Sequence, residues 1–185
     1  AARNKPVIVI KSGRSAQGQK AAASHTGALA GSDAVYEAAI ARAGMLRVNS
    51  LQELFLAAET LARFRTNRSE SLTILTNGGG AGVMAADAAA QVNVPLTELG
   101  ASTLAQLDAV LPANWSHGNP VDIIGDAPVK RYGEALQILH NDPNGAAVLF
   151  IHAPTAIVPS AEIATALSAL PQSTTAWLMG CWLGG

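Results

Sequence analysis

The sequence predicts an α/β fold, a parallel sheet with helices on both faces. Short β-branched runs alternate with longer helix-like stretches. Alanine and glycine dominate while aromatics make up 4% of the 185 residues, a composition that suits close helix–sheet packing better than a barrel or sandwich. Two segments of the chain share a strand–glycine loop–helix plan.

Val7 to Lys11 is continuous and β-branched and reads as a buried strand. Ser12 to Gly31 reads as a loop, with a patch at Gln19–Ala23 that has helical character. Ser32-Asp33 is an N-cap pattern for a helix to Ala43, and Gly44 ends it. Leu46-Arg47-Val48 is a short strand. Ser50-Leu-Gln-Glu53 is a capping box, and the helix it opens runs to about Phe64 with Leu51, Leu54, Phe55, Ala58 and Leu61 on one face. The polar stretch from Arg65 to Glu70 reads as a linker.

A second series follows. Leu72–Thr76 is a strand, Gly80–Ala90 a helix, and Val94–Leu96 a strand. Ser102–Leu111 is a helix capped by Ser102, and Pro112–Gly125 is mostly loop. Pro128–Leu139 is a helix with Asp126 as N-cap and proline in its first turn. Ala147–Ile151 is a strand, Ser160–Leu170 a helix, and Thr174–Met179 a last strand. The first segment has one strong strand and two helices, too little for a domain. The chain also stops after a strand where a helix is expected. A piece of a longer protein is the expectation.

Bulk properties exclude several classes. Net charge is −1 with a pI near 6.5 and no basic stripe, which argues against a nucleic-acid partner. Cys181 is the one cysteine, so no internal disulfide forms, and a reducing compartment fits. No Cys/His cluster has zinc spacing, so no metal ligands are assigned. No run approaches the ~18 apolar residues of a membrane span, and no signal pattern is seen. A cytoplasmic setting follows. No Gly-x-Ser-x-Gly elbow exists for a nucleophilic serine.

Two stretches carry chemistry. Ala23-Ser-His-Thr-Gly-Ala-Leu-Ala-Gly-Ser32 places His25 among small residues. An exposed imidazole on such a loop suits a group that reaches one site, reacts, and travels to another. Its unprotonated nitrogen is a nucleophile near neutral pH. Ser24 and Thr26 flank it, Gly27 follows, and Arg14 is a nearby cation able to meet phosphate bidentately. The competing reading is a small-residue loop that happens to hold a histidine. Thr76-Asn77-Gly78-Gly79-Gly80-Ala81-Gly82 sits between a strand and a helix, where free amides and the helix dipole favour an anion. It lacks the lysine and hydroxyl of a Walker loop, and a simple tight turn is the alternative. Asp87 lies inside the following helix, where a solvated carboxylate is the plainer reading. Asn119-Pro-Val-Asp122 is a turn former, with Asp122 able to fix its loop or meet a ligand. His117 and His140 read as structural, His140 as a cation at a helix C-terminus. His152 ends an apolar strand at the edge where such sheets place sites. Cys181 reads as a packed thiol.

These segments resemble a known family. Lys5-Pro-Val-Ile-Val-Ile-Lys-Ser-Gly-Arg14 with Ser24-His-Thr-Gly-Ala-Leu-Ala-Gly31 is similar to the phosphohistidine segment of the NDP-forming acyl-CoA synthetases. That superfamily includes ADP-forming acetate–CoA ligase and succinyl-CoA synthetase. Asn77 to Gly82 with Asp87, and Gly118-Asn-Pro-Val-Asp-Ile123, continue the resemblance in the family's order. It implies flavodoxin-like domains: the end of one over residues 1–65, and most of a second, cut at its C-terminus, over 71–185. It implies a reversible ligation of a carboxylic acid and CoA driven by ATP, with His25 carrying phosphate between an acyl-phosphate/CoA site and a nucleotide site. The turn from Asn77 to Gly82 would then stabilise phosphorylated His25, contributing ~1–2 kcal/mol through the helix dipole alone. Arg14, Asp87, Asn119 and Asp122 would lie near that site. ATP/ADP, CoA and Mg²⁺ would serve the full protein, none bound tightly by this segment. A CoA-binding Rossmann domain upstream, an ATP-grasp domain or subunit, and an oligomer are the implied partners. Arg3–Ser15 and Arg42–Val48 also resemble the ligase-like regulatory region of bacterial GNAT protein lysine acetyltransferases, while the presence of His25 leans towards ligase chemistry. A GNAT domain in the parent chain would distinguish that reading. A flavodoxin-like binding module without turnover is the third.

Overall fold

A computed structural model describes residues 5–26, 31–63, 70–144, 147–170 and 177–184, without the side chains of residues 25 and 26. The chain divides into two compact units, residues 1–66 and 67–185.

In the first unit β1 (Ile8–Ile10) and β2 (Leu46–Val48) pair in parallel, Ile8 opposite Leu46. The expected buried first strand is half-buried instead, and Ile10 is exposed, because this sheet has two strands among the described residues. The largest departure is α1 (Ala16–Thr26), a helix where a loop with a short helical patch was expected. The Ser15 hydroxyl accepts the Gly18 amide at 3.1 Å and caps it, and the Ala/Gln/Lys run favours helix despite Gly18. α2 (Asp33–Arg42) starts after Ser32, whose hydroxyl makes no cap bond. Gly44 turns the chain at φ +67 after this helix. α3 (Leu51–Arg63) starts at the expected capping box: Ser50 Oγ accepts the Glu53 amide at 3.1 Å, and Glu53 reaches back to the Asn49 amide at 2.7 Å. Leu51, Leu54, Phe55, Ala58 and Leu61 share one face of it as expected, and of these Leu54 and Leu61 are half-buried, together with Ala57, whereas Leu51, Phe55 and Ala58 are exposed.

The second unit has a fully parallel sheet in the order β4-β3-β5-β6: β3 (Thr73–Thr76), β4 (Val121–Asp122), β5 (Ala147–His152) and β6 (Trp177–Trp182). Leu75, Val121, Val148 and Phe150 point to one face. There they pack with Leu107 of α5 (Ala101–Val110), Tyr132, Leu136 and Leu139 of α6 (Val129–His140), and Ile163 of α7 (Ser160–Ser168). Strand alternation sends Thr76 to the other face, against α4 (Gly79–Gln91). Helices therefore cover both faces, as expected.

Several boundaries differ for local reasons. Val94–Leu96 contributes a single bridge, Leu72 to Leu96, and β4 lies in the stretch expected as loop. α5 is capped by Gly100, and Ser102 instead meets Gln106 one turn on. α6 is capped by Pro128, because the Asp126 carboxylate is taken by Arg131 at 2.6 Å. β6 continues to Trp182, and residues 174–176 lie outside the described ones.

His140 ends α6 as expected, where its burial opposes the charged form that the helix end favours. Burial pushes its imidazole, and that of fully buried His152, below the ordinary histidine value of 6.5. The folded protein therefore disfavours the charged form of both, and the unfolded chain takes up protons first as the pH falls. Their stabilising contribution is complete above about pH 6.5 and is lost below it, by up to about 1.4 kcal/mol per pH unit for each group. Urea unfolding between pH 7.5 and pH 5.5 should show this slope, and His152→Gln should reduce it. An identical slope in wild type and variant would refute the assignment to His152.

Candidate functional site

β3 ends at Thr76, and the next residue clamps the sheet. The Asn77 side chain accepts the Ala153 amide at 2.8 Å and donates to the Ala153 carbonyl at 2.8 Å, just past the end of β5. The Thr76 hydroxyl accepts the Gly78 amide at 3.0 Å. α4 then begins, with Gly78 as N-cap and no acidic residue in its first turn. The Ala81 and Gly82 amides bond to the Gly78 carbonyl. Those of Gly79 and Gly80 have no acceptor among the described residues. The turn thus offers two free amides at the positive end of a helix at the carboxyl edge of a parallel sheet.

At three of these positions a side chain would meet a close neighbour. A Cβ on Gly78 would stand 3.1 Å from the Ala153 methyl, one on Gly79 2.9 Å from Asp122 Oδ2, and one on Gly82 3.0 Å from the Thr76 methyl. Gly80 has nothing within 4 Å.

Asp122 therefore lies directly beside the turn. Its Oδ1 accepts the Ile124 amide at 2.9 Å, and its own amide donates to Ser116 Oγ at 2.9 Å. Arg131, which sequence reasoning missed, donates to the Ile123 carbonyl at 3.1 Å and to Asp126, fixing the loop that carries Asp122. Its place on the helix after this loop was the available signal. Asn119 precedes a cis peptide bond to Pro120. It accepts the Ile74 amide at 2.9 Å and donates to the carbonyls of Leu72 at 2.9 Å and Thr97 at 3.0 Å. Both asparagines are thus framework groups in this unit. Asp87 is exposed on α4, eight residues beyond Gly79 and so about 12 Å along the axis.

The remaining histidines are accounted for locally. His117 sets its ring nitrogens against Asp108 Oδ1 at 2.9 Å and the Ala113 carbonyl at 3.0 Å. His152 meets Ser160 Oγ at 3.0 Å inside a surround of Tyr132, Phe150 and Trp182. Cys181 is half-buried in β6.

In the first unit the His25 backbone lies in the last turn of α1, and its ring lies outside the described side chains, so the expected exposure of that ring falls there too. Thr26 shares this status, and Gly27 is outside the described residues. The Ser24 hydroxyl donates to the Ala21 carbonyl at 2.7 Å, within its own helix. Arg14 is held by Asp33 and Asn49. Among the described residues no group of three or more His, Cys, Asp or Glu could hold a metal ion, and no helix is long and apolar enough to cross a membrane.

The two glycines at the head of α4 should respond differently to alanine. Gly79→Ala drives a methyl into the Asp122 carboxylate and should cost about 1–3 kcal/mol. Gly80→Ala enters open space and should be neutral or stabilising by up to about 1 kcal/mol. Paired urea titrations check this, and equal effects would contradict the packing described.

Comparison with known proteins places this architecture. Residues 1–61 match the family model described as succinyl-CoA ligase like flavodoxin domain, and residues 72–176 match the ligase-CoA domain. The chain is 49% identical over 155 residues to ADP-forming acetate–CoA ligase I of Archaeoglobus fulgidus, covering 84% of this chain and 22% of that protein. It is 41% identical over 167 residues to the alpha subunit of ADP-forming acetate–CoA ligase I of Pyrococcus furiosus, covering 88% of this chain and 35% of that one. A solved structure of Ca. Korarchaeum cryptofilum dinucleotide forming acetyl-coenzyme A synthetase 1, in complex with phosphate and ADP, superposes with a TM-score of 0.84 at 34% identity. It covers 98% of this chain and 39% of that one. The chain thus spans between about a fifth and two-fifths of the length of these relatives. With more than half of its residues inside the second match, the chain belongs to the ligase-CoA domain family, preceded by a succinyl-CoA ligase-like flavodoxin segment.

Proposed function

We propose that this chain is part of an ADP-forming acyl-CoA synthetase of the acetate–CoA ligase type, and that His25 is its phosphoryl carrier. The observation that carries the reading is the 49% identity, over 84% of the chain, to an ADP-forming acetate–CoA ligase. The two free amides at the head of α4 support the site assignment.

In the ATP-forming direction, phosphate attacks acyl-CoA to give acyl phosphate and release CoA. An imidazole nitrogen of His25 then attacks phosphorus, an N–P bond forms, and the carboxylate leaves. ADP oxygen finally takes the phosphoryl group and returns the neutral imidazole. One difficult transfer becomes two easier ones. Such transfers depend on positioning and charge neutralisation. The Gly79 and Gly80 amides would hold phosphate oxygens. Asn77 and Thr76 place those amides, while Ala81 and Gly82 close the first turn behind them. Ser24, Thr26 and Gly27 flank the carrier. Asp122, with Asn119 fixing its segment, is the carboxylate beside the turn, and Asp87 belongs to the outer face of the same helix.

ATP/ADP, CoA and Mg²⁺ belong to the full protein in this reading. Mg²⁺ would enter with the nucleotide. The partners are a CoA-binding Rossmann domain and an ATP-grasp domain or subunit, within a cytoplasmic oligomer. Residues 1–65 form the end of one flavodoxin-like domain and 71–185 part of the next, a reading supported by the division of the chain near residue 66.

Labelled ATP with Mg²⁺ should give the full-length protein an acid-labile, base-stable label. His25→Ala should abolish it and lower acyl-CoA synthesis below about 0.1% of wild type. Full turnover in His25→Ala would exclude the mechanism. A wild type that never labels but acetylates lysines from acetyl-CoA would establish the regulatory alternative.

A further inference from the structure

The first unit contains a polar cluster that the reaction above does not use. It lies at the carboxyl ends of β1 and β2, where Lys11 follows one strand and Asn49 the other. At its centre is Asp33, in the first turn of α2. Arg47 donates to Asp33 Oδ1 at 2.6 Å, Arg14 Nε to Oδ2 at 3.3 Å, and Lys11 Nζ stands 3.8 Å from Oδ1. Arg47 is nearly buried, its side chain 7% exposed, and bonds Glu37 as well. Arg14 reaches past Asp33 to donate to Asn49 Oδ1. Lys11 also covers the Tyr36 ring at 4.5 Å.

The charge arrangement is stable in one direction. The Arg47 guanidinium holds the Asp33 carboxyl below the ordinary aspartate value, with Arg14 and Lys11 adding to it. Asp33 is therefore an anion shared by three cations, of which Arg14 is the most exposed. Arg14 belongs to the two-residue link between Gly13, at φ +72, and Ala16, where α1 begins. Ser15, the other residue of that link, caps α1. The cluster thus grips the chain at the start of the helix whose last turn carries the His25 backbone. A helix is stiff over its eleven residues, so a grip at one end sets the direction of the other.

We propose that Arg14, clasped by Asp33 and Asn49, is a positioning residue: it fixes the root of the α1 arm from which His25 is presented. This rests on the phosphohistidine reading of His25. It gives Arg14 a role different from direct phosphate contact, with Nε bound to Asp33 and Nη1 to Asn49 within its own unit.

The test uses the full-length protein, with hydrogen exchange and histidine labelling measured on the same samples. Arg14→Gln should speed amide exchange in Ala16–Thr26 by about tenfold and leave Leu51–Arg63 unchanged. It should lower the labelling rate constant by about tenfold with the nucleotide KM unaltered, since misplacement of a reacting group acts on the chemical step. Asn49→Ala should act in the same direction, and the double variant should be no worse than Arg14→Gln alone, because both break one clasp. Arg14→Lys keeps the charge beside Asp33 and should restore part of both losses. Wild-type exchange in α1 of Arg14→Gln overturns the proposal, as does faster exchange with an unchanged labelling rate. A raised nucleotide KM at constant rate overturns it in favour of direct phosphate binding. If wild type takes no label while Arg14→Gln still loosens α1, the phosphohistidine reading fails and the positioning role fails with it.

Discussion

The paired hydrogen bonds between the Asn77 side chain and the Ala153 backbone are the constraint on which the candidate anion site depends. β3 and β5 pair up to Thr76 and Ile151, and the ladder then stops. A primary amide has the donor and acceptor of a peptide group, so Asn77 extends the pairing by one rung without extending the strand. Its backbone is thereby free to turn into α4. Losing both bonds would leave the Ala153 amide and carbonyl without partners beside a buried position, at a cost of about 2–3 kcal/mol. The same contact brings the Ala153 methyl to where a Gly78 side chain would be. The clamp and the glycine are consequences of one close approach.

Asn119 does comparable work on the other side of β3, where two carbonyls and one amide would otherwise face β4's short span. Its three bonds tie the segment before β4 to β3 and to Thr97. That placement puts Asp122 against the first residue of α4. The polar side chains nearest the turn are thus largely occupied in building it. The atoms left over to meet a ligand are backbone amides and one carboxylate oxygen. Backbone amides fixed by a sheet edge and a helix start need no reorganisation when charge arrives, which is the property a site for transferring phosphate needs.

Much of this was legible in the sequence where the signal is local. The capping box at Ser50–Glu53, the break at Gly44 and the strand–glycine–helix order around Thr76 depend on residues within a few positions of one another. The α1 helix was not legible because its cap, Ser15, stands in a small-residue run that also suits a loop. The apolar face of α3 was legible, but which of its residues meet the sheet was not, because Leu51 and Phe55 fit the same helical period as Leu54 and Leu61. The roles of the two asparagines were hidden for a different reason. Asn77 meets a residue 76 positions away, and Asn119 meets Leu72 47 positions back. Chemistry marked these residues as polar groups near a glycine turn; packing decided that they hold it rather than act from it.

The two units rest on different physics. The second has a continuous apolar core from Leu75 to Ile163. In the first, Ile40 and Val48 are the buried apolar side chains among the described residues, and a two-stranded sheet is marginal by itself. The ion pairs around Asp33 include one guanidinium, that of Arg47, withdrawn from water, unlike pairs on an ordinary surface. An ion pair at the root of a helix restrains its direction, and at Ala16 that restraint acts through Arg14, bound to Asp33, and through Ser15, which caps the first turn.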